Sequence, residues 1–279
     1  MVLHSHAKIN LSLLVRKKLS NGLHDLQSIY CLINLKDKIT IKEIKNQKID
    51  KIFFDGPYSK DVNKSNNSIK KILQIMRKFN LISNYYSVKV IKNIPVFSGL
   101  GGGTSNAAII LKSLIKKSTK DKFLKKITKF IGSDLILFFN DQGYLKNLNT
   151  VDKLQKKHKL YFLLAYPNIK CSTKKIFSKV RKYSIRKKFS SKNLREKSNF
   201  IKLLNNSTND LQLIVEKKYP VIKKLLSFIS KIDGCYFSRM TGSGSTCYGL
   251  FNSEKSSKAA LKKLRKKYPK FSFSIAKTI

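Results

Sequence analysis

A run of glycines sets the first limit on this chain. Residues 94–111 read IPVFSGLGGGTSNAAIIL, and four of the 12 glycines in 279 residues (Gly99, Gly101, Gly102 and Gly103) fall within this one stretch. The preceding YYSVKVIKNIP alternates apolar and polar residues as a strand does, and Pro95 stops it because proline has no N–H to donate. Ala107, Ala108, Leu111, Leu114 and Ile115 then recur at helical spacing. The chain must therefore turn from strand to helix through backbone able to take φ > 0 and to approach a ligand closely. A helix starting at Thr104, Ser105 and Asn106 leaves its first N–H groups without intrahelical partners. Strand, glycine turn and helix N-terminus together form an anion site suited to phosphate. No GK[ST] follows the glycines, so this is not a Walker A loop. The alternative is a tight β–α turn with a helix cap, for which fewer glycines suffice.

Composition narrows the class. Hydrophobic residues make up 42% and aromatics 10%, a globular balance with material for a large core. No apolar run approaches the roughly 20 residues that span a bilayer. The opening MVLHSHAKINLSLLV lacks the layout of a signal peptide, so a cytoplasmic location is expected. Cys31, Cys171, Cys235 and Cys247 are widely spread and form no CxxC pair, which reads as reduced, buried thiols with neither disulfides nor a metal site. The net charge of +44 raises nucleic-acid binding as a competing function. However, 52 of the basic residues are lysines and only 7 are arginines, scattered through every segment. Base and phosphate readers favour the planar arginine fork. Abundant Lys, Asn and Ile are the trio that AT-rich codons supply, so drift accounts for much of the charge. A nonspecific, salt-sensitive affinity for polyanions is expected whatever the function.

Along the chain, KINLSLLV (8–15) reads as one alternating strand, followed by a turn at Ser20, Asn21 and Gly22 and the apolar stretches IYCLINL and ITIKEI. Ile69, Ile72, Leu73, Met76 and Phe79 mark a helix capped by Asn67 or Ser68. A second helix is read in DKFLKKITKFIG. The polar, turn-rich 140–158 marks a domain boundary near 150, and the basic 178–200 reads as a mobile surface segment. LYFLLAYP, CYFSRM, TCYGLF and FSFSIA read as strands, and VIKKLLSFISKI and SKAALKKLRKKY as helices.

Three further stretches carry candidate chemistry. Asp134 in GSDLILFF (132–139) lies between a helix-ending glycine and an apolar run, either as an N-cap or as a functional acid in a partly desolvated pocket. RMTGSGSTCYGLF (239–251) holds Gly242 and Gly244 flanked by Thr241, Ser243 and Ser245, a second hydroxyl-rich glycine turn. NGLHDL carries His24, a residue type more often structural than catalytic at such a place.

Taken in order, these pieces resemble the GHMP kinase superfamily, and within it the 4-diphosphocytidyl-2-C-methyl-D-erythritol kinases of the non-mevalonate isoprenoid pathway. AKINLSLLV…NGLHDLQSI is similar to that family's AKINLxLxV…DGYHxLxS, and PVFSGLGGGTSNAA to its PxxxGLGGGSSNAA nucleotide loop. GSDLILFF is similar to GADVPFF, NDL at 209–211 to NDLE, and MTGSGST to MTGSGS(T/C). The matches run in order from residue 7 to about 251. The resemblance implies an α/β (α+β) fold with two domains. Residues 1–150 would form a ribosomal-S5-like ATP-binding domain and 151–279 a ferredoxin-like α+β domain for the substrate, with the site between them.

It also implies roles. The reaction would be ATP-dependent, Mg²⁺-requiring phosphorylation of the substrate's 2-hydroxyl. Asp134 would be the general base, or at least orient the hydroxyl, with Lys8 beside it supporting the carboxylate and the transferring phosphoryl group. Pro95, Val96, Phe97, Ser98, Gly99, Leu100, Gly101, Gly102, Gly103, Thr104 and Ser105 would hold ATP. Asn10 would bind the erythritol hydroxyls, His24 would read the cytosine edge, Phe177 would stack on cytosine with Thr173 nearby, and Thr241, Gly242, Ser243 and Gly244 would complete the substrate side. No protein metal ligand is identifiable. The partner is a small molecule rather than a specific nucleic acid or a membrane, and the chain is a monomer or homodimer. Two departures stand out. Leu23 replaces the family's tyrosine, losing an aromatic wall worth about 1 kcal/mol for a ring pair, and Ile136 replaces the proline of GADVPFF. The competitors are a homoserine or mevalonate-type kinase, a basic RNA-binding protein, and a drifted kinase of weak activity.

Overall fold

The alternation over 8–15 does not survive as one strand. In the computed structural model, which describes residues 1–187, 189 and 194–279, β1 (Val2–Asn10) stops where the N–H groups of Leu11 and Ser12 both turn to Ile29 O, and β2 (Leu14–Lys18) starts after Leu13 N–H bonds Thr208 O. Alternation along 8–15 is matched by burial on both sides, polar Lys8, Asn10 and Ser12 included. Conversely, IYCLINL and ITIKEI are a single 21-residue strand, β3 (His24–Ile44).

The chain divides into two compact units, each built from separated segments: Met1–Lys8, Leu35–Val96 and Gly101–Phe139 in the first, and Ile9–Asn34, Phe97–Leu100 and Asn140–Ile279 in the second. In the first unit β4 (Lys51–Asp55) runs parallel to β5 (Tyr85–Ile91), which pairs antiparallel with Lys38–Ile44 of β3. Helix α1 (Ser68–Lys78) is capped by Asn67, whose side chain accepts from Lys70 N–H. It buries Ile69, Ile72, Leu73 and Met76, each worth about 1.5–3 kcal/mol of removed apolar surface. It packs with α2 (Gly102–Leu114) and α3 (Lys117–Ile131), and α2 also contacts a 3-10 stretch over Ser133–Phe139.

In the second unit the polar stretch read as a boundary forms a hairpin of β6 (Gln142–Asn147) and β7 (Thr150–Lys153), with Gln142–Leu145 pairing Ser28–Cys31 of β3. The remaining sheet joins β8 (Tyr161–Tyr166), β9 (Cys235–Met240), β10 (Cys247–Phe251) and β11 (Ser272–Lys277) in the order β11-β8-β10-β9, all antiparallel. The short α4 (Thr173–Phe177), α5 (Lys197–Asn205), α6 (Gln212–Lys218), α7 (Pro220–Ser230) and α8 (Glu254–Lys267) complete it, with α7 and α8 packed on the strands. The succession β8–α7–β9–β10–α8–β11 is a split βαβ arrangement, as expected for a ferredoxin-like domain.

The basic 178–200 is not a loose surface segment where it is described. Ser184 N–H donates to Val15 O and Lys187 N–H to Gln27 Oε1, while Ser184 Oγ donates to Asp210. Residues 188 and 190–193 of that stretch lie outside the described residues. Among the described residues no helix is long and apolar enough to cross a membrane. All four cysteines are free thiols, and burial pushes Cys235 up to about 12, which leaves little thiolate for chemistry.

Candidate active site

The glycine loop is divided between the units, Phe97–Leu100 belonging to the second and Gly101 onward to the first. In the first unit Gly101 is the cap of α2, in the left-handed region at φ 70 and ψ 21. No side chain caps the helix, and its first internal bond is Ser105 N–H to Gly101 O at 2.9 Å. The N–H groups of Gly102, Gly103 and Thr104 are thus left to solvent or to an anion. Three glycines differ in what they spare. A Cβ on Gly101 would meet Phe138 at 2.9 Å and Lys8 at 3.2 Å, and one on Gly102 would meet Ile94 at 2.8 Å and Lys92 Nζ at 2.9 Å. Gly103 has room, its nearest neighbour being Ser68 Oγ at 3.4 Å.

Against this helix start lies the acid. Lys8 Nζ stands 3.3 Å from Asp134 Oδ2, with Lys8 only 3% exposed and Asp134 38% exposed. Lys8 is delivered by β1 and Asp134 by the first turn of the 3-10 stretch. A buried ammonium beside a carboxylate that still reaches solvent makes a site where an alcohol can be bound and deprotonated. A chain of hydroxyls holds α2 to β1. Ser5 Oγ donates to Ser105 Oγ at 2.8 Å, and Ser105 Oγ donates to His6 O at 2.6 Å.

In the second unit Gly99 rests on the later glycine turn, since a Cβ there would come within 2.2 Å of Thr241 O. Thr246 N–H donates to Ser98 O, and Phe97, itself at φ 56 and half exposed, accepts from Cys171 N–H. Thr241 is fully buried and its hydroxyl accepts from Asn10 N–H at 3.0 Å, while Asn10 Nδ2 donates to Ser28 Oγ at 2.8 Å. Asn10 and Thr241 therefore brace one another. Asn209 of the NDL motif is a strut of the same turn, donating to Met240 O and Gly242 O.

His24 opens β3 opposite Lys18 in the hairpin with β2, with Leu23 exposed at its tip. Its ring centroid lies 5.3 Å from that of Phe177 and 6.3 Å from that of Tyr183. Helix α4 brings Thr173 and Phe177 to one side at i,i+4, and Thr173 Oγ1 is 3.0 Å from Ser243 Oγ. Burial first, then the Lys18 charge, holds His24 below the ordinary histidine range. Its neutral ring keeps one donor and one acceptor.

Comparison with known proteins decides the family. Residues 67–128 match the GHMP kinases N terminal domain and 185–270 the GHMP kinases C terminal. A 4-diphosphocytidyl-2-C-methyl-D-erythritol kinase of Pelagibacter ubique is 39% identical, covering 95% of this chain and 94% of its own. The chain belongs to the 4-diphosphocytidyl-2-C-methyl-D-erythritol kinase family. A Wolbachia member of that kinase family, from the Brugia malayi symbiont, is 31% identical with the same coverage of both chains, 95% and 94%. A solved 4-(cytidine 5'-diphospho)-2C-methyl-D-erythritol kinase shares the fold, with a TM-score of 0.73 at 19% identity over 99% of both chains. The homoserine kinase of Cytophaga hutchinsonii shares it too, with a TM-score of 0.62 at 15% identity over 100% of this chain and 94% of that one. Sequence identity, rather than fold, thus separates this kinase family from its homoserine rival.

Sequence reading missed three groups around the kinase motifs. Tyr183 joins the His24 cluster from a segment with no pattern to mark it. Asn209 was quoted as a motif without a role. Asp37, Lys92 and Asn106 form a buried polar cluster behind the loop, whose members are separated by tens of residues and give no local signal.

Proposed function

We propose that this chain transfers the γ-phosphoryl group of ATP to the 2-hydroxyl of 4-(cytidine 5'-diphospho)-2-C-methyl-D-erythritol, a step of non-mevalonate isoprenoid precursor synthesis. The observation that carries the chemistry is the Lys8–Asp134 pair in the same unit as the uncapped start of α2. Asp134 accepts the proton of the attacking hydroxyl, and Lys8 offsets charge on the transferring group. The N–H groups of Gly102–Thr104 receive phosphate, and residues 95–105 cradle the nucleotide. His24 reads the cytosine edge, with Phe177 as a stacking face, while Thr173, Ser243 and the 241–244 turn border the acceptor. We keep an ATP-binding 1–150 and a substrate-binding 151–279 as part of the proposal, with His24 the contribution of the first segment to the cytidyl group. A cytoplasmic, monomeric or homodimeric enzyme without a specific nucleic-acid partner completes the reading.

Mg²⁺ belongs to the proposal as well. Among the described residues no three His, Cys, Asp or Glu side chains gather to hold a metal. The ion's ligands would be mainly phosphate oxygens and water, on a triphosphate that the N–H groups of Gly102–Thr104 would hold. When bound, it neutralises phosphate charge.

The test is ATP turnover by the purified protein with the cytidyl substrate against a panel of small alcohols including homoserine and mevalonate. Turnover with the cytidyl substrate alone is expected, and a preference for another alcohol would overturn the assignment. The direction of the His24 shift adds a pH signature. Because its pKa lies below 6.5, the ring stays neutral through physiological pH and gains its proton only below that value. The KM for the cytidyl substrate should be flat while the ring is neutral and climb as the pH falls through the lowered His24 pKa, and His24→Gln should remove the climb.

A further inference from the structure

The glycine loop has two shoulders in the first unit, the end of β5 with the residues that follow it and the start of α2. One carboxylate reaches both. Asp37 is fully buried on β3. Its Oδ1 accepts from Asn93 N–H and Ile94 N–H, each at 2.8 Å, and its Oδ2 lies 2.5 Å from Lys92 Nζ. These are the last residues before Pro95. On the helix side the hydrogen-bond network orients the Asn106 amide so that its nitrogen lies 3.0 Å from Asp37 Oδ2, 3.0 Å from Gly102 O and 2.7 Å from Ser5 Oγ. The Lys92 ammonium sits directly beneath Gly102, 2.9 Å from where a Cβ would stand. Neither shoulder can shift without breaking a bond to this buried group, and buried acceptors are costly to leave unmatched.

We propose that Asp37 is a positioning residue for the nucleotide: its carboxylate fixes the separation of the loop's two shoulders and so the aim of the Gly102–Thr104 N–H groups. This rests on the reading of the loop as the ATP site. The pair with Lys92 balances charge that would otherwise stand unmatched below a helix N-terminus, where the dipole already disfavours a cation. Asn106 carries the constraint into the first turn of α2, and Ser5 and Ser105 pass it to β1, the strand that bears Lys8.

Two variants test this by separate routes. Asp37→Asn keeps the shape and one acceptor but turns a donor toward Lys92. Asn106→Leu keeps the Asp37–Lys92 pair and cuts the link to the helix. Equilibrium titration measures the affinity of each for ATP and for the cytidyl substrate, with circular dichroism reporting folding. Both should bind ATP about tenfold or more weakly, the scale of one buried hydrogen-bond partner left unmatched. Their affinity for the cytidyl substrate should stay within about twofold of native, and Asp37→Asn/Lys92→Met, which removes the unmatched cation, should recover most of the ATP affinity. A merely structural Asp37 would lower the melting temperature and leave the ATP affinity of the folded protein native, which overturns the proposal. An equal loss for both ligands overturns it too. Should Asp37→Asn fail to fold, Asn106→Leu and the double variant decide by the same readings. Binding is measured without turnover, so failure here is distinct from failure of the kinase assignment, which the substrate panel reads on the native protein.

Discussion

Asp134→Asn is expected to lower kcat by about a hundredfold or more while leaving the KM for ATP near its native value, the signature of a group that acts in the transition state. The substitution keeps the size of the side chain and an oxygen to face Lys8, but removes the capacity to take a proton. The competing role is a cap of the 3-10 stretch, because Asp134 lies in its first turn. A cap predicts a loss of about 1 kcal/mol in stability and near-native turnover. The exposure pattern favours the first outcome. A capping acid has no use for a buried lysine at 3.3 Å with the carboxylate itself left partly open to solvent. Steady-state kinetics and a thermal melt on the one variant separate the two, and normal kcat in a slightly less stable protein would remove Asp134 from the mechanism.

The second large effect is expected at Gly101→Val. The residue sits at φ 70, where a β-branched side chain is strained, and the added carbon would press on Phe138 and on the Lys8 stem. ATP affinity should fall by about tenfold or more and kcat should fall with it, since the lysine is displaced along with the cap. Gly103→Ala isolates the ligand's share. Its site is helical and roomy, and alanine in place of glycine there favours the helix by about 0.5–1 kcal/mol. It should therefore melt no lower than the native protein, while the methyl group added among the Gly102–Thr104 N–H groups is expected to weaken ATP binding. Native ATP affinity in both variants would return the loop to a plain β–α turn.

The glycine loop was legible because its constraint is local: a strand stop, backbone freedom and a helix start in one short stretch. The start of α1, narrowed to Asn67 or Ser68 as its cap, and the strands β8, β10 and β11 were legible for the same reason. Periodicity failed where it was shared by both sides of the chain. Over 8–15 polar and apolar residues are equally buried, so alternation could not reveal that Leu11 to Leu13 leave the ladder for Ile29 and Thr208. The polar 140–158 concealed a hairpin because its partner, Ser28–Cys31, lies far back in the chain. The candidate pair Lys8 and Asp134 could be named only through the family resemblance, since no spacing rule links residues so distant. Asp37 and Asn106 were out of reach altogether. Each is a polar residue whose reason lies in a partner that no local window contains.

The interleaving of the two units has a consequence for heredity as well as for mechanics. Residues 151–279 cut free would lack 9–34 and 97–100, which belong to the same compact unit. A gene split at any single point within 9–279 therefore severs at least one unit, and a fragment from the second half cannot be traded as a module. Such a chain is expected to work only when its two halves are made as one.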